Sequence, residues 1–152
     1  MRIIDADILS YALYDDSPAH HHAWKVVEKG ITKELQMHVT YVTVLEAYNV
    51  LFWFYKVRPL RALLEKLGLT VGALSVVDVS LRGLEISKNE NIPLGDGLLI
   101  GAALTHRIPI IISNDAHITK KASKYGLLVE NPIPLRLRRA MGAQLDKQRP
   151  TE

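Results

Sequence analysis

Short apolar runs alternate along the chain with longer stretches in which apolar residues recur every three or four positions. Ile3-Ile4 is an apolar pair halted by Asp5, the profile of a short strand. The polar turn Tyr14-Asp15-Asp16-Ser17-Pro18 opens a helix, with Ser17 suited to the N-cap and Pro18 to the first helical position. Ala23, Val26 and Val27 give that helix its buried stripe and Gly30 ends it. Met37-His38-Val39 predicts a second strand, followed by a long helical segment from about Val42 to Val57. Pro59 breaks that segment, and Leu60, Leu63, Leu64 and Leu67 form a further helix that closes before Gly68. Val76 to Val79 reads as a third strand, and Ser80 caps a helix carrying Leu81, Leu84 and Ile86. A polar loop from Lys88 to Asn91 leads through Pro93-Leu94-Gly95-Asp96-Gly97 into an apolar helix over Leu98 to Thr105. Pro109-Ile110-Ile111-Ile112 is continuously apolar, as expected of a strand buried on both faces. A short helix follows Asp115, and Gly126 to Val129 gives a fifth strand. Strands alternating with helices predict an α/β fold around a parallel sheet.

The 152 residues suit one domain with its own core, with no interior linker, repeat or low-complexity tract. A hydrophobic fraction of 48% and a charged fraction of 23% are ordinary for a globular chain. The absence of cysteine excludes disulfides, thiol nucleophiles and cysteine-held metals, and it fits a reducing cytoplasm. Acids at positions 5 and 7 interrupt the apolar run a signal peptide needs, so secretion is not expected. The most apolar run, Ala47 to Tyr55, is far shorter than the roughly 20 residues that span a bilayer, so no membrane role is expected. A net charge of +3 gives a mild basic bias that favours polyanionic partners. That bias gathers beyond Leu135, where Arg136, Arg138, Arg139, Lys147 and Arg149 face only Asp146 and Glu152. The segment reads either as a solvated tail or as a contact for an RNA backbone.

Parallel sheets bind ligands beyond the carboxyl ends of their strands, where the following helices begin. Asp5 ends the first strand, Glu46 lies early in the helix after the second, and Asp115 follows the fourth after Ser113-Asn114. Asp96 stands at a helix entry that can face the same edge. Each acid has a plainer use. Asp5, Asp96 and Asp115 suit N-caps, and Glu46 can close a capping box with Thr43. Four acids at one edge of one sheet have a chemical use as a set. Crowded carboxylates repel and hold their protons unless a cation neutralises them. An oxygen-only donor set favours Mg²⁺ or Mn²⁺, which promote phosphodiester hydrolysis.

Ile3-Ile4-Asp5-Ala6-Asp7-Ile8-Leu9 resembles the opening motif of PIN-domain nucleases. Thr40 with Glu46, Gly95-Asp96-Gly97 leading into its small-residue helix, and Ile111-Ile112-Ser113-Asn114-Asp115 resemble that family's next three motifs, in order, from Ile3 to about Val129. The resemblance implies a three-layer α/β/α fold with a central five-stranded parallel sheet. A PIN-like nuclease domain would cover residues 1–132, with 133–152 as a basic C-terminal tail. It also implies an Mg²⁺- or Mn²⁺-dependent endoribonuclease acting on single-stranded RNA, similar to VapC-like toxins that a small antitoxin protein holds inactive. Asp5, Asp96 and Asp115 would be metal ligands, and Glu46 would hold the metal or orient the attacking water. Ser113 would keep Asp5 or Asp115 in place. Asp7 departs from the residues frequent in the family at that place, and it either caps the first helix or adds an outer ligand. An RNA-processing nuclease without an antitoxin and a non-catalytic RNA-binding scaffold are the alternatives. A phosphoacceptor domain would require an acceptor Asp after the third strand and a Lys after the fifth. Asp78 falls within the predicted third strand, and the fifth ends in Glu130-Asn131-Pro132.

His20-His21-His22 lies within a predicted helix, where successive side chains diverge and cannot converge on one ion. The run Tyr48 to Tyr55 is apolar all round except for Asn49. It is either sandwiched inside the monomer or meets a second chain, and the family resemblance favours a homodimer with an antitoxin groove.

Overall fold

The computed structural model describes residues 1–148. Arg149 and Glu152, part of the basic C-terminal segment, lie outside the described residues. The elements run β1 (Arg2–Ile4), α1 (Ala6–Leu13), α2 (His20–Ile31), β2 (Met37–Thr40) and α3 (Tyr41–Asn49), which continues as a π-helical turn over Val50–Phe54. They go on as α4 (Leu60–Gly72), β3 (Ser75–Val77), α5 (Leu81–Glu90), α6 (Leu94–Thr105), β4 (Ile110–Ile112), α7 (Ala116–Ser123), β5 (Leu128–Glu130) and α8 (Leu135–Gln148).

The five strands form one parallel sheet in the order β3-β2-β1-β4-β5. Strand side chains alternate between faces, and the register Ile3↔Ile111, Ile4↔Ile112 puts matching residues on the same side. Ile3 and Ile111 join one core with residues of α5, α6 and α7. Ile4, Val39 and Ile112 join the other with α1 to α4, against which Leu137 and Met141 of α8 also pack. The result is the expected three-layer α/β/α architecture. Successive connections lead from β1 out to β3, then back across to β4, so the order reverses between β1 and β4 at the centre of the sheet.

Several boundaries differ from the sequence expectation. The apolar pattern delimits no helix before Ser17, yet Ala6–Leu13 is helical and buries Ile8, Leu9, Ala12 and Leu13. Helix α2 starts at His20 with no side-chain cap, Ser17 Oγ instead accepting from Ala19 N at 3.2 Å. Helix α4 passes through Gly68 to Gly72, and Lys88 to Glu90 belong to α5 rather than a loop. Ser80 holds the N-cap position of α5 without a cap bond, its hydroxyl meeting Thr105 Oγ1 at 3.3 Å. Asp78 follows β3 rather than lying in it, and its carbonyl meets His106 Nε2 at 2.9 Å. The basic C-terminal segment is helical through Gln148.

Helix α6 begins at Leu94, four residues before the predicted start, with Pro93 at its N-cap. Glycines clamp it to α5. A Cβ on Gly101 would lie 2.6 Å from Gly83 N, and one on Gly83 would lie 2.5 Å from Leu98 Cα. Backbones at this spacing leave no room to slide, which fixes where the first turn of α6, and with it Asp96, meets the sheet edge.

Candidate active site

The reversal of strand order between β1 and β4 opens a crevice at their carboxyl ends, the usual ligand position in an open parallel sheet. Asp5 leaves β1 there and is the N-cap of α1, its Oδ1 accepting from Ala6 N at 2.7 Å. Its backbone N–H donates to Ile112 O at 2.9 Å, tying it to the end of β4. Ser113, fully buried one residue beyond β4, donates from Oγ to Asp5 Oδ2 at 2.7 Å. The same hydroxyl oxygen accepts from Asp115 N at 3.0 Å. One serine therefore positions two of the acids at once. Asp115 is the N-cap of α7, with Oδ1 accepting from His117 N at 2.7 Å.

The other two acids arrive on helices. Asp96 lies in the first turn of α6 and is not its cap. Glu46 does not close a capping box either. The N-cap of α3 is Thr40, whose Oγ1 accepts from Thr43 N at 3.1 Å, and Glu46 stands a turn further along. Its carboxylate packs against the start of α6, where a Cβ on Gly95 would lie 2.5 Å from Oε2 and 2.9 Å from Oε1. Glycine at this position is what lets Glu46 reach the neighbourhood of Asp96.

The electrostatics of the four acids are those of one cluster. Burial is the largest influence on Asp96, and repulsion from Asp115, Asp5 and Glu46 adds to it, so its carboxyl is pushed up to about 7. Only the His117 imidazole opposes these effects on Asp96. Burial also raises Glu46, with Asp5 contributing. Asp5 is raised by burial, against the hydrogen bonds from Ser113 and Ala6 that favour its charged form. Asp7 is held well above the ordinary carboxylate range by burial first and by Asp5 second.

Asp7 is not the cap of α1, a place taken by Asp5. It accepts from Ile8 N at 2.7 Å through Oδ1 and from Asn114 N at 3.0 Å through Oδ2. It thereby pins the loop between β4 and α7 to α1. Asn114 is held in turn by Asn131 Nδ2, which donates to its Oδ1 at 2.8 Å. Gly95, Asn114 and Asn131 are structural parts of the site that the sequence reading did not single out. The only signals for them were positional, Gly95 preceding one acid and Asn114 another.

The donor set is oxygen-only and crowded with negative charge, which suits a hard divalent cation. Among the described residues, no three Asp, Glu or His side chains enclose an ion as they are placed. Asp115 spends Oδ1 on the first turn of α7. Its carboxylate keeps a second oxygen, and the mutual repulsion that raises Asp96 and Glu46 is the condition a cation relieves. The residues fit such an ion. The histidine tract does not gather one: His20 Nδ1 meets Tyr11 O at 3.1 Å, and His21 and His22 contact each other edge-on.

The PIN domain family profile matches residues 2–124, and the chain belongs to this family of nucleases. Comparison with curated protein sequences finds no match. Among solved structures, the fold is similar to PAE2754 from Pyrobaculum aerophilum, at a TM-score of 0.62 and 14% identity, covering 97% of each chain. It is similar to a chain of a toxin–antitoxin complex from Klebsiella pneumoniae, at 0.63 and 16%, covering 89% of this chain and 100% of that one. It is also similar to a chain of VapBC2 from Rickettsia felis bound to a promoter DNA fragment, at 0.58 and 14%, covering 86% and 97%.

Proposed function

We propose that this protein is a metal-dependent endoribonuclease that cuts single-stranded RNA at the carboxylate cluster, and that it is the toxin of a toxin–antitoxin pair. The observation that carries the reaction is the convergence of Asp5, Glu46, Asp96 and Asp115 on the crevice between β1 and β4, where each of three raises the carboxyl of Asp96. Asp5, Asp96 and Asp115 would hold Mg²⁺ or Mn²⁺, with Glu46 beside them. When bound, such an ion supplies positive charge against the phosphodiester and its departing oxygen. Ser113 holds Asp5 and the start of the Asp115 turn in place. Glu46, raised by burial, is suited to orient the attacking water and accept its proton. Single-stranded substrate fits an open crevice better than a stacked duplex does.

The toxin assignment is supported by the Klebsiella and Rickettsia neighbours and by the apolar surface of α3. Within the aromatic run, Leu51 is buried and Tyr48 and Phe52 pack on the core, but Trp53 and Phe54 are 60% and 66% exposed. Tyr41 and Leu45 on the same helix are also exposed. Such a face supports pairing of two copies and contact with an antitoxin helix. No helix among the described residues is long and apolar enough to cross a membrane.

The test is a cleavage assay on single-stranded RNA. Internal cuts are expected with Mg²⁺ or Mn²⁺ and none in EDTA. Asp5→Asn, Asp96→Asn and Asp115→Asn are each expected to slow the reaction by about 100-fold or more, the scale of losing one preorganised electrostatic group. Glu46→Gln should behave similarly and Asp7→Asn more mildly. Cleavage that survives EDTA, or that survives Asp96→Asn, refutes the assignment. For the toxin reading, a small neighbouring reading frame with a DNA-binding N-terminus is the expected genomic companion.

A further inference from the structure

The residues that pin the carboxylate cluster also form one wall of a second feature. A groove of about 730 Å³ runs between α7 and α8 beside the end of β5, and Asn114, Thr119, Lys120, Asn131, Arg138 and Arg139 line it. No acidic side chain is among its lining residues. We propose that this groove is the track for the RNA backbone on one side of the cut, its three cations pairing with phosphates adjacent to the one at the carboxylates. The inference rests on the ribonuclease reading above and deepens it.

Three observations converge on a strand of phosphates as the occupant. First, the groove is continuous with the site: Asn114 donates to Asp7 Oδ2 at 3.0 Å and accepts from Asn131 Nδ2 at 2.8 Å. A chain leaving the acids past Asn114 enters it directly. Second, the groove's cations are free while their neighbours are not. Lys121 and Lys124 share the Glu90 carboxylate at 3.5 and 3.1 Å, but Lys120, Arg138 and Arg139 make no ion pair among the described residues. Third, Arg138 is pre-set. Its Nε donates to Ile133 O at 2.8 Å, which anchors the guanidinium and leaves its terminal N–H groups to bind an anion. Asn131 Oδ1 accepts from Ile133 N at 3.0 Å, so the turn that launches α8 is tied to the same wall. A cluster of acids alone repels a polyanion. Three cations one step away supply the attraction that brings the strand to it.

The measurement is the salt dependence of binding to a labelled single-stranded RNA, made with Mg²⁺ present in an Asp96→Asn background so that the strand stays intact. Each phosphate neutralised on a single strand contributes about 0.7 to the slope of log affinity against log salt. Replacing Lys120, Arg138 and Arg139 by Gln together should therefore flatten the slope by roughly 2. The Lys120→Gln/Arg139→Gln double variant keeps the Arg138–Ile133 bond and should flatten it by roughly 1.4 with an unchanged melting temperature. Arg136→Gln changes an exposed α8 cation that does not line the groove, and it should leave the slope alone. If the background protein binds RNA but the groove variants keep its slope, the inference is overturned. If wild-type protein cuts the RNA but the background protein does not bind it, the groove cations do not hold the strand and this inference alone is overturned. If neither the background protein nor wild-type protein with Mg²⁺ binds or cuts the RNA, the ribonuclease reading falls and takes this inference with it.

Discussion

Ser113 Oγ lies 2.7 Å from Asp5 Oδ2 while accepting the N–H of Asp115 at 3.0 Å, so a fully buried hydroxyl joins the ends of β1 and β4. A buried hydrogen bond to a charged group is worth about 1.5–3 kcal/mol, and Ser113→Ala should cost about that at neutral pH. Because the bond favours ionised Asp5, its loss raises the Asp5 carboxyl further. The gap between wild type and variant should therefore narrow as pH falls and Asp5 takes up a proton. Urea unfolding at pH 5 and pH 7.5 measures both gaps, and equal gaps would show that Asp5 does not feel the hydroxyl.

The elevated carboxyl of Asp96 predicts how metal-free protein responds to pH. Unfolded, an aspartate titrates at about 3.9, whereas folded Asp96 does so at about 7. The folded state thus binds the extra proton. Its stabilising contribution is complete below the unfolded value and is lost as pH rises through about 7. In EDTA the melting temperature should fall between mildly acidic and mildly alkaline buffer. Asp96→Asn should reduce that fall, leaving the part due to Asp5, Asp7 and Glu46, which shift in the same direction. Mn²⁺ should raise the wild-type melting temperature above pH 7 and raise the variant's less. A metal increment untouched by the substitution would place the ion elsewhere.

How much of this was legible in the sequence depended on whether local pattern and tertiary demand agreed. Strand β4 was plain because it is a central strand and Ile110 to Ile112 is uniformly apolar. Asp5 and Asp115 stood out because each directly follows or nearly follows such a strand and precedes a helix. The start of α6 was misplaced because Gly95 and Gly97 look like loop residues by propensity. They lie in the first turn of α6, and they are glycines because a Cβ there would meet the Glu46 carboxylate or the Ser87 hydroxyl. The Thr40-to-Glu46 motif points to Glu46, and the plainer capping box with Thr43 does not form, because Thr40 is the N-cap of α3. Helix α8 was hidden by its charge, since Leu137 and Met141 are too sparse in that segment to announce a packed face.

Gly95 should be a positioning residue rather than a stability determinant. Ala is favoured over Gly by about 1 kcal/mol in a helix interior and by less in a first turn, where Gly95 lies, so Gly95→Ala should leave the melting temperature nearly unchanged. Its Cβ, however, would lie 2.5 Å from Glu46 Oε2 and would push the carboxylate out of the cluster. Cleavage should drop about as far as in Glu46→Gln, and the two changes together should cost little more than either alone, since both disable one group. A Gly95→Ala enzyme of full activity would mean that the Glu46 carboxylate moves aside without consequence.

The apolar face of α3 gives the last prediction, that the protein is a dimer through Trp53 and Phe54. The π-helical turn over Val50–Phe54 is closed by Tyr55 N donating to Val50 O at 2.9 Å, and it holds Leu51 in the core while turning Trp53 and Phe54 outward. Arg58 secures the turn from beyond, donating to Phe52 O at 2.7 Å with its guanidinium 3.6 Å from the Phe52 ring centre. The exposed pair is therefore held on a rigid platform, which lowers the ordering cost of a contact. Each aromatic buried from water contributes on the order of 2 kcal/mol before association costs. Trp53→Glu/Phe54→Glu should dissociate the dimer in sedimentation experiments at micromolar concentration while the circular dichroism spectrum stays that of the folded chain. Leu51→Glu, which buries a charge in the core beside α1 and α4, should instead unfold it. A wild-type protein that sediments as a monomer at that concentration refutes the dimer. A double variant that unfolds as Leu51→Glu does would show that the two rings belong to the monomer's own core.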